Sequence, residues 1–216
     1  MNWIEELYTL KPKKLFAQNG EETYLNHIFK NIGTTNKVLV DIGSGDGVYL
    51  SNSLALRNKG WNGLLIDGKE NNSPLVYQKS VTVENICDIL FYKKIPKEFD
   101  LLSLDTDGND FWLISEILKS YYPRVIIAEF NSSFTESKTI KYDADFFWEG
   151  DDYFGFTFEA GQKLAEQFGY KIIFQNNDMN LYFVKADLIG ELEIPKITYT
   201  VNDYFKKSER TDWVII

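Results

Sequence analysis

Five short runs of this chain are nearly continuous in apolar residues: "KVLVDIG", "GLLID", "SVTVEN", "FDLLSLD" and "RVIIAEF". Runs of that length and composition fit strands buried on both faces of a parallel sheet. Helical patterns lie between them. "YLSNSLALRNKG" ends in Gly60, a residue suited to a helix C-cap. "DFWLISEILKSYYP" carries apolar residues at helical spacing and stops at Pro123, and "FTFEAGQKLAEQFG" ends in Gly169. Strands alternating with helices predict an α/β, Rossmann-like doubly wound sheet. Two further strands, "YKIIFQ" and "NLYFVK", are joined only by "NNDMN". That link is too short for a crossover, so these two are expected to be antiparallel neighbours.

The 216 residues, 44% hydrophobic and 16% aromatic, are enough for a sizeable core and exclude a disordered chain. We expect one domain over residues 1–216, with a helical segment at 1–36, an insertion or lid at 132–157 and a tail at 189–216. The formal net charge of −9 repels phosphate backbones, so nucleic acid is not an expected partner. Cys87 is the single cysteine, which excludes an internal disulfide and a cysteine-rich zinc site. It fits a reducing compartment, and a cytoplasmic location is the expectation. The N-terminal "MNWIEELYTLKPKK" has no apolar leader region, and no run approaches the roughly 20 apolar residues of a membrane span. The apolar end of the tail could dock on the body or on a second copy, which leaves a homo-oligomer open.

The stretch "VLVDIGSGDGVYL" joins the first strand to the next element. In such sheets ligands bind at the carboxyl ends of the strands, and glycines there allow a close backbone approach. Two cofactor classes use this device. A dinucleotide needs G-x-G-x-x-G and a helix N-terminus to meet its pyrophosphate. Here Gly43, Gly45 and Gly47 give G-x-G-x-G, Val48 stands where the last glycine belongs, and Asp41 would repel a pyrophosphate. S-adenosylmethionine carries an ammonium and a sulfonium, so an acid ahead of the loop suits it. Asp67, closing the second strand, is placed to accept ribose hydroxyls of either cofactor.

"DIGSGDG" resembles motif I of class I S-adenosylmethionine-dependent methyltransferases. More of the chain is similar to the FkbM-like methyltransferases and their uncharacterised relatives: "AQNGEETYLNHIF", "VDIGSGDGVYLSNSLALRNKGWNGLLIDG", "VTVENI", "FDLLSLDTDGNDFWLISEIL", "PRVIIAEFN" and "FWEGDDYFGFTFEAGQKLAEQFGY". The resemblance implies a seven-stranded sheet in the order 3-2-1-4-5-7-6 with strand 7 antiparallel. It implies S-adenosylmethionine as cofactor, with Gln18 and Gly20 over the methionine part and Asp41, Gly43 and Gly45 in the loop. It further implies Asp67 on the ribose, Glu84 and Asn85 by the adenine, and Asp105 beside the transferring methyl. Relatives carry a second acid after the ribose acid; this chain has Lys69 in "DGKENN".

Several methylation chemistries lack their residues. The fourth strand ends in "LDTDGND", without the proline turn that holds a planar amide or adenine amine, and Cys87 is not placed as a cytosine-attacking nucleophile. Asp105, Asp107 and Asp110 sit at the end of the fourth strand, and Glu129 and Asn131 at the end of the fifth. One reading makes Asp105 and Asp107 the catalytic carboxylates, positioning the donor and taking a proton from an acceptor hydroxyl. Another resembles catechol-type O-methyltransferases, with Asp105, Glu129 and Asn131 holding Mg²⁺. Asp107 and Asp110 also suit the start of the following helix. His27, the only histidine, fits a packing role on its helix better than a catalytic one. The insertion mixes aromatic residues with acids, which suits a glycan or another small polar acceptor. The expected function is O-methylation of such an acceptor; a donor-binding assembly subunit without activity is the alternative.

Overall fold

A computed structural model describes residues 1–216. Its main sheet has seven strands: β1 (Val38–Ile42), β2 (Asn62–Asp67), β3 (Val76–Gln78), β4 (Glu98–Leu104), β5 (Tyr122–Glu129), β6 (Tyr170–Asn176) and β7 (Asn180–Lys185). They lie in the order β3-β2-β1-β4-β5-β7-β6, the order expected from the sequence. The first five are parallel, and β7 runs antiparallel to both β5 and β6. The turn that reverses the chain between β6 and β7 places Asn177 and Asp178 at φ of 53° and 55°. Two successive left-handed residues make a type I′ turn, and Asn and Asp are the non-glycine residues that tolerate it.

Seven helices flank the sheet: α1 (Trp3–Leu7), α2 (Glu21–Ile32), α3 (Leu54–Arg57), α4 (Ile86–Tyr92), α5 (Asp110–Leu118), α6 (Phe158–Gln167) and α7 (Ala186–Ile189). Side-chain alternation along each strand divides the core into two layers. Val40 and Ile42 of β1 face the larger cluster, built with α4, α5 and α6. Leu39 faces the other, with Leu25 and Ile28 of α2, Leu56 of α3 and Ile189 of α7. Asp41, next in register with Leu39, therefore points into the layer of α2 and α3.

Two sequence expectations change. The third strand is Val76–Gln78, while "VTVEN" forms a turn into α4. Asn85 causes this: its side chain accepts from Thr82 N and donates to Ser80 O, offering the backbone a local alternative to the sheet ladder. The helix expected over residues 49–60 shrinks to one turn beginning at Leu54. Asp46 accepts from Val48 N and Tyr49 N, and Leu50 sits at φ 54°, so the chain after the glycines stays a loop.

The tail returns to the body. Its end, Val214–Ile215, pairs antiparallel with Lys138–Thr139 of the insertion. Trp213 packs on Phe134 and Tyr153, with centroids 5.1 and 4.7 Å apart, and Lys138 Nζ lies 4.6 Å from its ring. Phe205 contacts Trp148 and Phe154. No helix is long and apolar enough to cross a membrane. We predict that Trp213→Ala lowers the unfolding free energy by about 2 kcal/mol, because it removes one partner from this aromatic cluster. Urea denaturation checks this; an unchanged midpoint would mean that the tail adds nothing to stability.

Candidate active site

The carboxyl ends of β1, β2 and β4 open onto a cavity of about 490 Å³, within the range of small-molecule sites. The glycine loop forms one wall. A methyl group on Gly43 would lie 1.6 Å from the carbonyl oxygen of Asp105, so only glycine lets the loop sit against β4. Gly45 faces open space, at φ 57°. Its N–H donates to Asp67 Oδ2 over 2.7 Å, while Asp67 Oδ1 accepts from Lys69 N over 2.7 Å. Asp67 thereby ties the glycine loop to the end of β2 while lining the cavity, and each oxygen keeps a further lone pair for a ribose hydroxyl.

Asp105, at the end of β4, also lines the cavity. Asp107 follows at φ 57°, a left-handed conformation that aspartate tolerates. That kink gathers one carboxylate oxygen each from Asp105, Asp107 and Glu129 within 4.8 Å of one another. Burial and the repulsion of Asp110, Asp107 and Asp41 push the Asp105 carboxyl up to about 8; Lys69 opposes the shift. Burial and the charges of Asp105, Asp110 and Asp107 raise Glu129 well above the usual carboxylate range. Lys69, in place of the second acid of similar proteins, lies 3.6 Å from Asp107. Asp110 organises the turn: it accepts from Thr106 N, Thr106 Oγ1 and Gly108 N.

Asp41 lies beneath the loop rather than in the cavity wall. It is 4% exposed and its Oδ2 has no hydrogen-bond partner. Burial raises its pKa, against the hydroxyls of Ser53 and Ser103 and the charge of Arg57. Arg57 also donates to Ser53 Oγ and to the carbonyl of Gly47, which links Asp41, α3 and the glycine loop.

Other expected site residues stand elsewhere. Asn131 is no metal ligand: β5 ends at Glu129, so strand alternation does not carry Asn131 to the rim. Its amide donates to the carbonyls of Asp152 and Phe154, and its Oδ1 accepts from Ser133 N. Asn85 is consumed by its turn, and Glu84 accepts from the Tyr142 hydroxyl at 2.6 Å; the cavity floor there is Ser80 and Val81. Gln18 is exposed, and neither it nor Gly20 lines the cavity. Gly20 caps α2 at φ 77°, where a side chain would meet Pro12 at 2.8 Å. His27 lies between α1 and α2, with Nε2 2.9 Å from the carbonyl oxygen of Trp3.

The insertion, expected from the sequence as a lid, contributes three residues to this cavity. Ala144, Phe146 and Phe147 line it, and Phe146 packs so closely that a methyl group on Gly108 would lie 2.4 Å from its ring. The backbone is held by Asn109 Nδ2, which donates to Asp143 O, and Trp112 Nε1, which donates to Ile140 O.

A carboxyl whose pKa is raised on folding is bound to its proton more tightly in the folded chain. Its stabilising contribution is therefore full below the ordinary value of 3.8 and is lost as pH rises towards about 8. We predict that, in metal-free protein, Asp105→Asn raises stability at pH 8 by about 2 kcal/mol and changes it little at pH 4. Thermal unfolding across that range is the measurement; destabilisation at pH 8 would refute the repulsion described above.

No protein family matches this chain by its sequence profile, and no curated protein matches it. Among solved structures, it is similar to the N-terminal domain of EvdMO1 with SAH bound, at 12% identity over 84% of this chain and 93% of that one, TM-score 0.48. It is also similar to an S-adenosylmethionine-dependent methyltransferase from Clostridium acetobutylicum, at 10% identity over 77% and 91%, TM-score 0.46. A third is a SAM-dependent methyltransferase from Aquifex aeolicus, at 12% identity over 84% and 98%, TM-score 0.45. None of the three supplies a role for a residue of this chain. The sheet order and the antiparallel β7, read from the chain itself, are those of the class I methyltransferase fold.

Proposed function

We propose that this chain transfers a methyl group from S-adenosylmethionine to a hydroxyl oxygen of a small polar acceptor or glycan. The observation that carries the reading is the charge and shape of the 490 Å³ cavity. Its wall has three carboxylates, Asp67, Asp105 and Asp107, and one cation, Lys69, already paired to Asp107. A sulfonium and an ammonium are attracted there, and a pyrophosphate is repelled. The loop also lacks the helix N-terminus that a dinucleotide uses, because α3 begins only at Leu54. Gly43 and Gly45 let the backbone approach the donor, Asp67 accepts from its ribose, and Asp105 holds its cationic end. Transfer is an in-line displacement: the O–C bond forms as the S–C bond breaks, and the hydroxyl proton passes to a rim carboxylate.

A second reading adds a divalent cation. Asp105, Asp107 and Glu129 form a compact all-oxygen donor set with too little positive charge to balance it, which fits Mg²⁺. When bound, the ion would lower the pKa of the acceptor hydroxyl.

Calorimetry tests the donor. Micromolar binding of S-adenosylmethionine and S-adenosylhomocysteine is expected, with none of NAD, and Asp67→Ala should weaken donor binding by about 1–3 kcal/mol. NAD binding without donor binding would overturn the assignment. EDTA tests the metal: loss of transfer that Mg²⁺ restores supports the ion, and full activity in EDTA removes it.

A further inference from the structure

A second cavity, of about 290 Å³, is lined by Glu129. Its walls are the end of β5, the β6–β7 turn, the start of the insertion and the tail around residues 200–205. Glu129 lines this cavity while its carboxylate lies within 4.8 Å of those of Asp105 and Asp107, which line the first. Glu129 is therefore the residue of this chamber that reaches the acids of the proposed donor site. Asp178, from the turn, and Asp203, from the tail, are the other charged residues of its lining, and no lysine, arginine or histidine is among them. Phe154 and Phe205, 5.2 Å apart in an edge-on pair, give it an aromatic wall, and Asn177 adds an amide. Aromatic faces suit the C–H faces of a ring, amides and carboxylates suit hydroxyl donors, and unbalanced acids attract a cation and exclude an anion.

We propose that this chamber holds the methyl acceptor, and that the acceptor is a polyhydroxylated molecule with a protonated amine and no phosphate or carboxylate. This rests on the methyl-transfer reading. The acceptor oxygen meets the methyl carbon beside Glu129. The O–C bond forms, the S–C bond breaks with its electron pair going to sulfur, and the hydroxyl proton passes to a carboxylate of the rim. Asp178 and Asp203 hold the ammonium, so the tail is part of the specificity surface.

The test is saturation-transfer NMR on the full chain loaded with S-adenosylhomocysteine. The probes are methyl α-D-glucosaminide, methyl α-D-glucoside and methyl α-D-glucuronide. The glucosaminide is expected to bind about tenfold more tightly than the glucuronide. The double variant Asp178→Asn, Asp203→Asn should lose that preference and keep S-adenosylhomocysteine binding. Equal binding of the three probes, a preference that survives the double substitution, or no binding of any probe would overturn the proposal. Failure to bind S-adenosylhomocysteine sinks the donor reading instead; the same probe series on donor-free protein then still decides the charge preference of the chamber.

Discussion

The contact between Gly43 and the carbonyl of Asp105 fixes the spacing of everything at the rim. Gly43 N and Ser44 N donate to Ile66 O, and Asp105 N donates to Ile42 O, so β1, β2 and β4 end in one hydrogen-bonded knot. A side chain at position 43 would push the glycine loop off β4 and separate Asp67 from Asp105 across the cavity. The knot explains how a loop with little helix behind it holds its shape. Asp67, Arg57 and Asp46 supply from their side chains the hydrogen bonds that a longer α3 would have supplied from its backbone.

The acids at the rim are held together against their own repulsion. Hydrophobic layers on both faces of the sheet force the strands to end side by side, and β4 and β5 then deliver Asp105 and Glu129 to neighbouring positions. The raised pKa of Asp105 expresses that cost. Folding is paid for by the core, and the rim keeps a concentration of negative charge that a positively charged ligand relieves.

Much of this was legible in the sequence, because it rested on patterns with strong local causes. Four of the five buried runs are parallel strands, and the shortness of "NNDMN" gave the reversal, which the structure makes as a type I′ turn. What was not legible depended on where a strand stops. "EFN" reads as three alternating residues, yet β5 ends at Glu129 and Asn131 turns inward to hold the insertion. "VTVEN" has strand composition, but the Asn85 side chain closes a turn that the sheet edge is too weak to override. Lys69 was visible as a departure from similar proteins; its partner, Asp107, depended on a left-handed residue that no periodicity reports.

The pairing of Val214–Ile215 with Lys138–Thr139 joins the last residues of the chain to the insertion without using the main sheet. The strand-end rim and this outer layer are nonetheless tied together, because Phe146 lies against Gly108, Asn109 donates to Asp143 O, and Asn131 donates to the carbonyls of Asp152 and Phe154. Exchanging tail and insertion together would move one aromatic cluster as a unit, and would take Phe146 and Phe147 out of the cavity wall with it. A change anywhere in that outer layer therefore reaches the cavity through the same few aromatic contacts.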